Sequence, residues 1–206
     1  MDSKPTLIVL AAGRGSRFGG AQHKLLQALG ASSVLGTTLD RALESHLPLV
    51  VVATPATAGL ARRSVASRDV VVLPEVGGGS AEPLGMGYSI AAGVSARPNA
   101  PGWVILPGDM PAVRAATLLA VARELAQHPV AYAQYRGQRG HPVGFAAELY
   151  SELIALDGDA GARRLVARYP AHGVEVDDAG VLLDIDTPAD LERLRADGAP
   201  VGAGTP

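Results

Sequence analysis

Residues 7–26 read LIVLAAGRGSRFGGAQHKLL, and the fold is decided in this stretch. Four consecutive aliphatics, Leu7 to Leu10, make a run of the length and apolarity of a buried strand. The run breaks at Ala11-Ala12 into a loop carrying Gly13, Gly15, Gly19 and Gly20, with Arg14, Arg17 and Lys24 among the glycines. Glycines allow positive φ and bring backbone N–H groups close to a ligand. Cations on the same loop suit the charges of a polyphosphate. A tight strand-to-helix turn with solvated arginines would use the same glycines, so spacing has to discriminate. A P-loop requires Gly-Lys-Ser/Thr after four variable residues, which is absent here. Gly13-x-Gly15-x-x-x-Gly19 approximates a dinucleotide fingerprint, but the second aliphatic run, 49–53, ends in Thr54-Pro55 with no acid to hold a ribose.

Outward from this loop, short aliphatic runs alternate with amphipathic stretches. Strands are expected at 7–10, 49–53, 70–73, 103–106, 130–135 and 143–145, and helices at 34–43, 58–66, 86–94 and 115–126. Aliphatic runs separated by single helices imply crossover connections and a mainly parallel sheet, covered by helices on both faces. The fold class expected is α/β, a single Rossmann-like domain over residues 1–196 with a frayed tail at 197–206. In such sheets ligands bind beyond the carboxyl ends of the strands. The glycine loop and Gly108-Asp109 both follow strands, so they are expected to meet there.

Composition narrows the class. The 206 residues suffice for one well-filled core, and 48% hydrophobic with 18% charged residues is globular. With no cysteine, thiol nucleophiles, thiolate metal sites and disulfides are excluded. A net charge of −2 argues against a nucleic-acid surface. No apolar run approaches the ~18 residues of a membrane span, and Asp2 near the start does not suit a signal peptide. A cytoplasmic enzyme, monomeric or weakly dimeric, acting on small molecules is the expectation.

Two acidic segments carry the next signal. In Trp103-Val-Ile-Leu-Pro-Gly-Asp109-Met-Pro111 a carboxylate sits just past a buried strand. It can ligate Mg²⁺, which prefers oxygen ligands and substrate phosphates, or cap a helix starting near Pro111. In Leu182-Leu-Asp184-Ile-Asp186-Thr-Pro-Ala-Asp190, the residues Thr187, Pro188 and Asp190 form a helix-capping pattern. Asp184 and Asp186 are not needed for that cap. Two apart on extended backbone, they face the same side, and one of them can approach Asp109. Like charges meeting there would repel, so removing either is expected to leave or raise stability.

LAAGRGSRFGG followed by Lys24, together with Gly-Asp-Met-Pro at 108–111, resembles the molybdenum-cofactor nucleotidyltransferases, over roughly residues 6 to 195. The resemblance implies transfer of a nucleotidyl group from an NTP to a phosphate-bearing acceptor such as molybdopterin, with release of pyrophosphate. It implies catalytic roles for Arg14, Lys24 and Asp109. It further implies a nucleotide site built from Leu10, Ala11, Ala12, Gly13, Arg14, Gly15, Arg17, Lys24, Gly85, Ser89 and Gly108. Asp109 and Asp186, favoured over Asp184, would hold Mg²⁺, with Mn²⁺ as a substitute. Glu82-Pro-Leu-Gly85-Met-Gly87-Tyr-Ser89 would contact base and ribose, while His141 and Arg163 lie in segments resembling those that face the acceptor. A glycine before a helix bearing paired arginines, 161–164, can hold an anion. His23, His46, His128 and His172 show no ligand spacing and receive no role.

The family resemblance also bears on the nucleotide. Guanylyl enzymes usually carry Leu-Ala-Gly-Gly where this chain has Leu10-Ala-Ala-Gly13, and cytidylyl enzymes favour Ala-Ala-Gly. The Ala12 methyl would crowd a purine more than a pyrimidine, which points to CTP. Phe18 replaces the usual methionine of Arg-Met-Gly and keeps its apolar character. Three alternatives stand beside this reading: an NAD(P)H oxidoreductase on the same loop, a cofactor-holding protein without catalysis, and transfer to a sugar-phosphate or isoprenoid-precursor phosphate.

Overall fold

The computed structural model describes residues 4–13, 15, 18, 23–74 and 85–196. Arg14, Arg17, Gly19, Gly20, Glu82 and the 197–206 tail, all given roles above, lie outside the described residues. In chain order the elements are β1 (Thr6–Ala11), a short hairpin β2 (Ala28–Leu29) and β3 (Ser32–Ser33), α1 (Val34–Glu44), β4 (Leu49–Ala53), α2 (Pro55–Ser64) and β5 (Val70–Val72). There follow α3 (Gly85–Ser95), β6 (Gly102–Pro107), α4 (Ala115–Glu124), β7 (Val130–Tyr135), β8 (Gln138–Ala146), α5 (Tyr150–Ile154), α6 (Arg163–Arg168), β9 (Ala171–Glu175) and α7 (Pro188–Ala196).

Among the described residues, seven strands form one sheet in the order β5-β4-β1-β6-β8-β7-β9. All run parallel except β8, which is antiparallel to both its neighbours, β6 and β7. The chain steps outward from β1 to β4 and β5, then returns to the other side of β1 with β6. The crevice beyond the carboxyl ends of β1 and β6 is therefore the point where strand order reverses, the place where open sheets of this type take their ligands.

Alternation along the central strands divides the core in two. Leu7, Val9, Val51, Val104 and Leu106 face one side, where α1, α2, α4 and α7 supply Leu35, Leu39, Ala61, Leu118, Val121 and Leu191. Ile8, Val50, Val52, Trp103 and Ile105 face the other, under Ile90 and Val94 of α3, Leu153 of α5 and Leu165 of α6. Buried on both faces, these strands read as unbroken aliphatic runs. At roughly 1.5–3 kcal/mol per fully buried aliphatic side chain, the two layers are the main source of stability.

The sequence expectation departs most in extent at β8 and α2, and it does not include β2, β3, α5 or β9. The strand expected at 143–145 runs from Gln138 to Ala146. It pairs on both sides, so the turn signals of Gly140 and Pro142 are overridden by the neighbouring ladders. Pairing passes from Tyr132↔Val143 to Gln134↔Arg139, so residues 140–142 stand opposite Ala133 alone as a bulge. The helix expected at 58–66 begins earlier, at Pro55. Thr54 is its N-cap, the Thr54 N–H donates to Thr57 Oγ1 at 3.1 Å, and Pro55 occupies the first turn.

Candidate active site

Three segments converge at the crevice. The first carries Lys24 on a three-residue 3₁₀ turn, Lys24–Leu26, pinned by buried Leu25. His23 caps that turn. Its Nδ1 accepts from the Leu25 N–H at 3.2 Å, and its Nε2 lies 2.7 Å from the Gly13 carbonyl oxygen. Because a carbonyl only accepts, these partners assign a neutral ring with the proton on Nε2. His23 thus ties the glycine loop to the Lys24 turn. Phe18 is buried in the same face of the core, and its N–H donates to the Gly15 carbonyl at 3.0 Å.

The second segment follows β6. The Gly108 N–H donates to the Leu10 carbonyl at 2.9 Å, and Thr38 Oγ1 of α1 donates to the Gly108 carbonyl at 3.0 Å. Thr57 Oγ1 of α2 does the same for the Ala11 carbonyl at 2.9 Å. Two helices thereby fix the ends of β1 and β6 through buried threonine hydroxyls. Asp109 leaves this braced turn with Met110 buried behind it.

The third segment enters α7. Asp190 Oδ2 accepts from the Thr187 N–H at 2.8 Å and Thr187 Oγ1 at 2.7 Å, and the Asp190 N–H donates back to Thr187 Oγ1 at 3.2 Å. This is the expected capping box, and its bonds hold the Asp190 carboxyl below the ordinary aspartate range. Ile185 is buried, and its N–H donates to the Asp109 carbonyl at 3.0 Å. That bond lays the Asp186 segment directly beside Asp109.

Lys24 Nζ stands between the acids, 2.6 Å from Asp109 Oδ2 and 3.1 Å from Asp186 Oδ1. Burial alone would lower the Lys24 pKa. Asp109 and then Asp186 outweigh it, so the pKa is raised and the ammonium stays charged. The three groups are 11%, 17% and 26% exposed, so solvent screens them only in part. Repulsion between the carboxylates is thus offset by a shared cation, a contact that the expectation of unchanged or raised stability on removing either acid does not include. The same contacts test the site for a divalent ion. Two carboxylate oxygens from different segments reach one cationic centre, which is the donor chemistry a hard, oxygen-preferring ion requires.

Leu10, Ala11 and Ala12 form the end of β1 and its exit, with Leu10 and Ala12 packed on the α3 side of the core. Gly85 opens α3 at φ +77°, and a Cβ there would stand 2.2 Å from the Gly158 carbonyl carbon. The Gly87 N–H donates to the Gly158 carbonyl at 2.9 Å. The helix entry expected at the base and the loop expected at the acceptor are thus joined backbone to backbone. Ser89 is buried, and its Oγ donates to the Gly85 carbonyl at 3.3 Å. Arg163 is exposed at the start of α6.

His141 sits in the β8 bulge. Burial comes first in lowering its pKa from 6.5; Asp109 and Asp184 oppose the shift, while Arg139 and Arg163 reinforce it. The fields of all four therefore reach this ring. A histidine held neutral by folding takes up a proton more readily when unfolded, so stability is intact above the unfolded value and falls as pH drops through the folded one. We expect the Tm to decline as pH falls below 6.5, and His141→Gln to flatten part of that decline in thermal melts across pH.

Gly13 and Gly15 offer a sharper test of the loop. A Cβ at Gly13 meets nothing within 4 Å, whereas Gly15 has φ +61° and a Cβ there would press on Lys24 Cγ at 2.9 Å. Gly13→Ala is expected to leave the Tm of the free protein unchanged while weakening NTP binding about tenfold, from lost backbone approach. Calorimetry showing unchanged NTP affinity would remove Gly13 from the nucleotide site. Gly15→Ala is expected to lower both stability and binding.

Asp178 and His23 were not found by sequence reasoning. Asp178 is 3% exposed; its Oδ2 accepts from the Arg114 N–H at 2.8 Å and Thr117 Oγ1 at 2.6 Å, and its Oδ1 from the Gly180 N–H at 3.1 Å. It ties the approach to Asp186 onto α4 across more than sixty residues of sequence, a span no local pattern reveals.

A strand-switch crevice holding a glycine loop, a lysine and two converging carboxylates defines the nucleotidyltransferase class of α/β fold. Residues 7–174 match the MobA-like NTP transferase domain, and the chain belongs to that family. It is 30% identical to the purine catabolism protein PucB of Bacillus subtilis, over 91% of this chain and 94% of that one. The crystal structure of Rv0371c from Mycobacterium tuberculosis superposes with a TM-score of 0.78 at 32% identity, covering 94% and 99% of the two chains; Rv0371c has also been solved as a complex with manganese. A nucleotidyl transferase from Methanothermobacter follows at TM-score 0.76 and 25% identity, covering 94% and 97%.

Proposed function

We propose that this chain transfers CMP from CTP to the phosphate of molybdopterin, releasing pyrophosphate. The observation that carries this reading is the contact of Lys24 with both Asp109 and Asp186 at the mouth of β1 and β6. An acceptor phosphate oxygen attacks the α-phosphorus in line, a new P–O bond forms, and the bond to the β-phosphate oxygen breaks. Such transfer depends on positioning and charge neutralisation and needs no covalent nucleophile, in keeping with a chain that has no cysteine.

Asp109 and Asp186 would hold Mg²⁺ or Mn²⁺, which when bound supplies positive charge to the reacting phosphate. The backbone N–H groups from Ala11 to Gly15 orient the triphosphate, with Lys24, Arg14 and Arg17 neutralising it. Gly85, Ser89 and Gly108 border base and ribose; His141 and Arg163 face the acceptor. Ala12, at the α3 side of the loop, favours a pyrimidine. A methyl group discriminates by only ~1–3 kcal/mol, so CTP is expected to bind roughly tenfold tighter than GTP, and Ala12→Gly to erode the difference.

The deciding experiment incubates the protein with Mg²⁺ and each NTP in turn, with molybdopterin or a sugar phosphate as acceptor, and identifies products by mass. The cytidylylated pterin is expected. A product with guanine, or one formed only on the sugar phosphate, would replace the donor or the acceptor named here.

A further inference from the structure

Glu124 ends α4, His128 precedes β7, and His172 is the second residue of β9. Since β7 and β9 run parallel to β6, these residues lie at the amino-terminal edge of the sheet, the opposite end from Asp109. His128 Nε2 is 3.6 Å and His172 Nε2 3.7 Å from one atom, Glu124 Oε2. A ligand atom from each of the three residues lies within 4.8 Å of the other two. The imidazole rings are stacked, with centroids 4.2 Å apart and planes 5° from parallel. Both Nε2 atoms face the same carboxylate oxygen, and a tilt of one ring out of the stack turns both lone pairs toward a shared ion.

These separations are too long for hydrogen bonds. They are close to the edge of a coordination tetrahedron: two ligands bound at 2.0–2.1 Å from a tetrahedral ion stand roughly 3.4 Å apart. The side chains are 35%, 35% and 43% exposed, which leaves an open side for entry and for a water as fourth ligand. Two imidazole nitrogens and one carboxylate suit Zn²⁺ far better than Mg²⁺, whereas the all-oxygen pair at Asp109 and Asp186 has the reverse preference.

We propose that Glu124, His128 and His172 form a Zn²⁺ site separate from the nucleotide-transfer centre. Among the described residues β9 pairs with β7 alone, at the edge of the sheet. An ion shared by α4 and β9 fastens that edge, and binding to the folded state alone raises the Tm by mass action.

The test titrates the full chain at neutral pH with Zn²⁺ alone, followed by calorimetry and thermal shift, and with Co²⁺ alone as a visible-absorbance probe. One equivalent is expected to bind, raise the Tm and give the strong bands of a four-coordinate Co²⁺ site. The His128→Gln/His172→Gln variant is expected to lose those bands and about tenfold or more in affinity, while Asp109→Asn/Asp186→Asn keeps them. Glu124→Gln, which preserves shape, decides the matter should the histidine variant fail to fold. The site is refuted if Zn²⁺ does not bind. It is equally refuted if binding survives the His128→Gln/His172→Gln or Glu124→Gln changes, or is lost in Asp109→Asn/Asp186→Asn instead.

Discussion

Asp109→Asn is expected to lower nucleotidyl transfer by two to three orders of magnitude, the loss typical when one preorganised electrostatic partner of a transition state is removed. Asparagine keeps the shape and caps a following helix about as well as aspartate, so a merely capping Asp109 would lose little activity. The variant also leaves the Lys24 ammonium with Asp186 as its remaining acid of the pair. For a partly screened pair this costs stability by about 1–2 kcal/mol, so the Tm should fall modestly. Asp186→Asn should behave alike, and the double variant should lose far less activity than the two losses multiplied, as residues acting as a unit do. Steady-state rates with Mg²⁺, read beside thermal melts, separate the two roles. Retention of most metal-dependent turnover by Asp109→Asn would eliminate the two-carboxylate centre.

The largest stability effect is expected at Asp178. Its carboxylate accepts three hydrogen bonds and is 3% exposed, so Asp178→Ala strands the Arg114 and Gly180 N–H groups and the Thr117 hydroxyl. Several buried donors left unpaired cost about 3 kcal/mol, or roughly 10 °C in Tm for a chain of this size. The segment between β9 and α7 is loosened with them, so turnover should fall as well, through the placement of Asp186. Asp178→Asn retains acceptor capacity on one oxygen and should lose less. Differential scanning calorimetry orders the three proteins; equal Tm values for wild type and Asp178→Ala would show that this network carries no stability.

Much of this architecture was legible because its central strands are buried on both faces. The run at 49–53 coincides with β4, since a strand with no wet face has no alternation to confuse its bounds. The run at 130–135 coincides with β7, whose partly exposed end at Gln134-Tyr135 is held by ladders on both sides. The edge strand β9, Ala-His-Gly-Val-Glu, has neither an apolar run nor full burial, and only its pairing with β7 makes it a strand. Of the site, Lys24, Asp109 and Asp186 were legible because each sits beside strong local punctuation: a glycine loop, a strand end, a capping box. His23 was not, because its value lies in reaching a carbonyl ten residues back, and a lone histidine in sequence carries no sign of that. Nor did sequence indicate that Lys24 would bridge both acids, since that bridge joins positions 24, 109 and 186 through three separate turns.

The abutment of Gly85 and Gly87 on residues 157–158 sets a limit on how this scaffold can change. Where two backbones touch with no side chain between them, neither can shift without carrying the other. A substitution or insertion in one segment is transmitted to the other as a displacement rather than absorbed by a rotamer. With the proposed assignment of these segments to base and acceptor, donor preference and acceptor preference are not independent modules. A graft of the 157–161 loop alone from a relative should arrive misaligned, and a graft that moves it together with the α3 entry should keep its geometry. Selection acting on either specificity would see the two segments as one inherited unit.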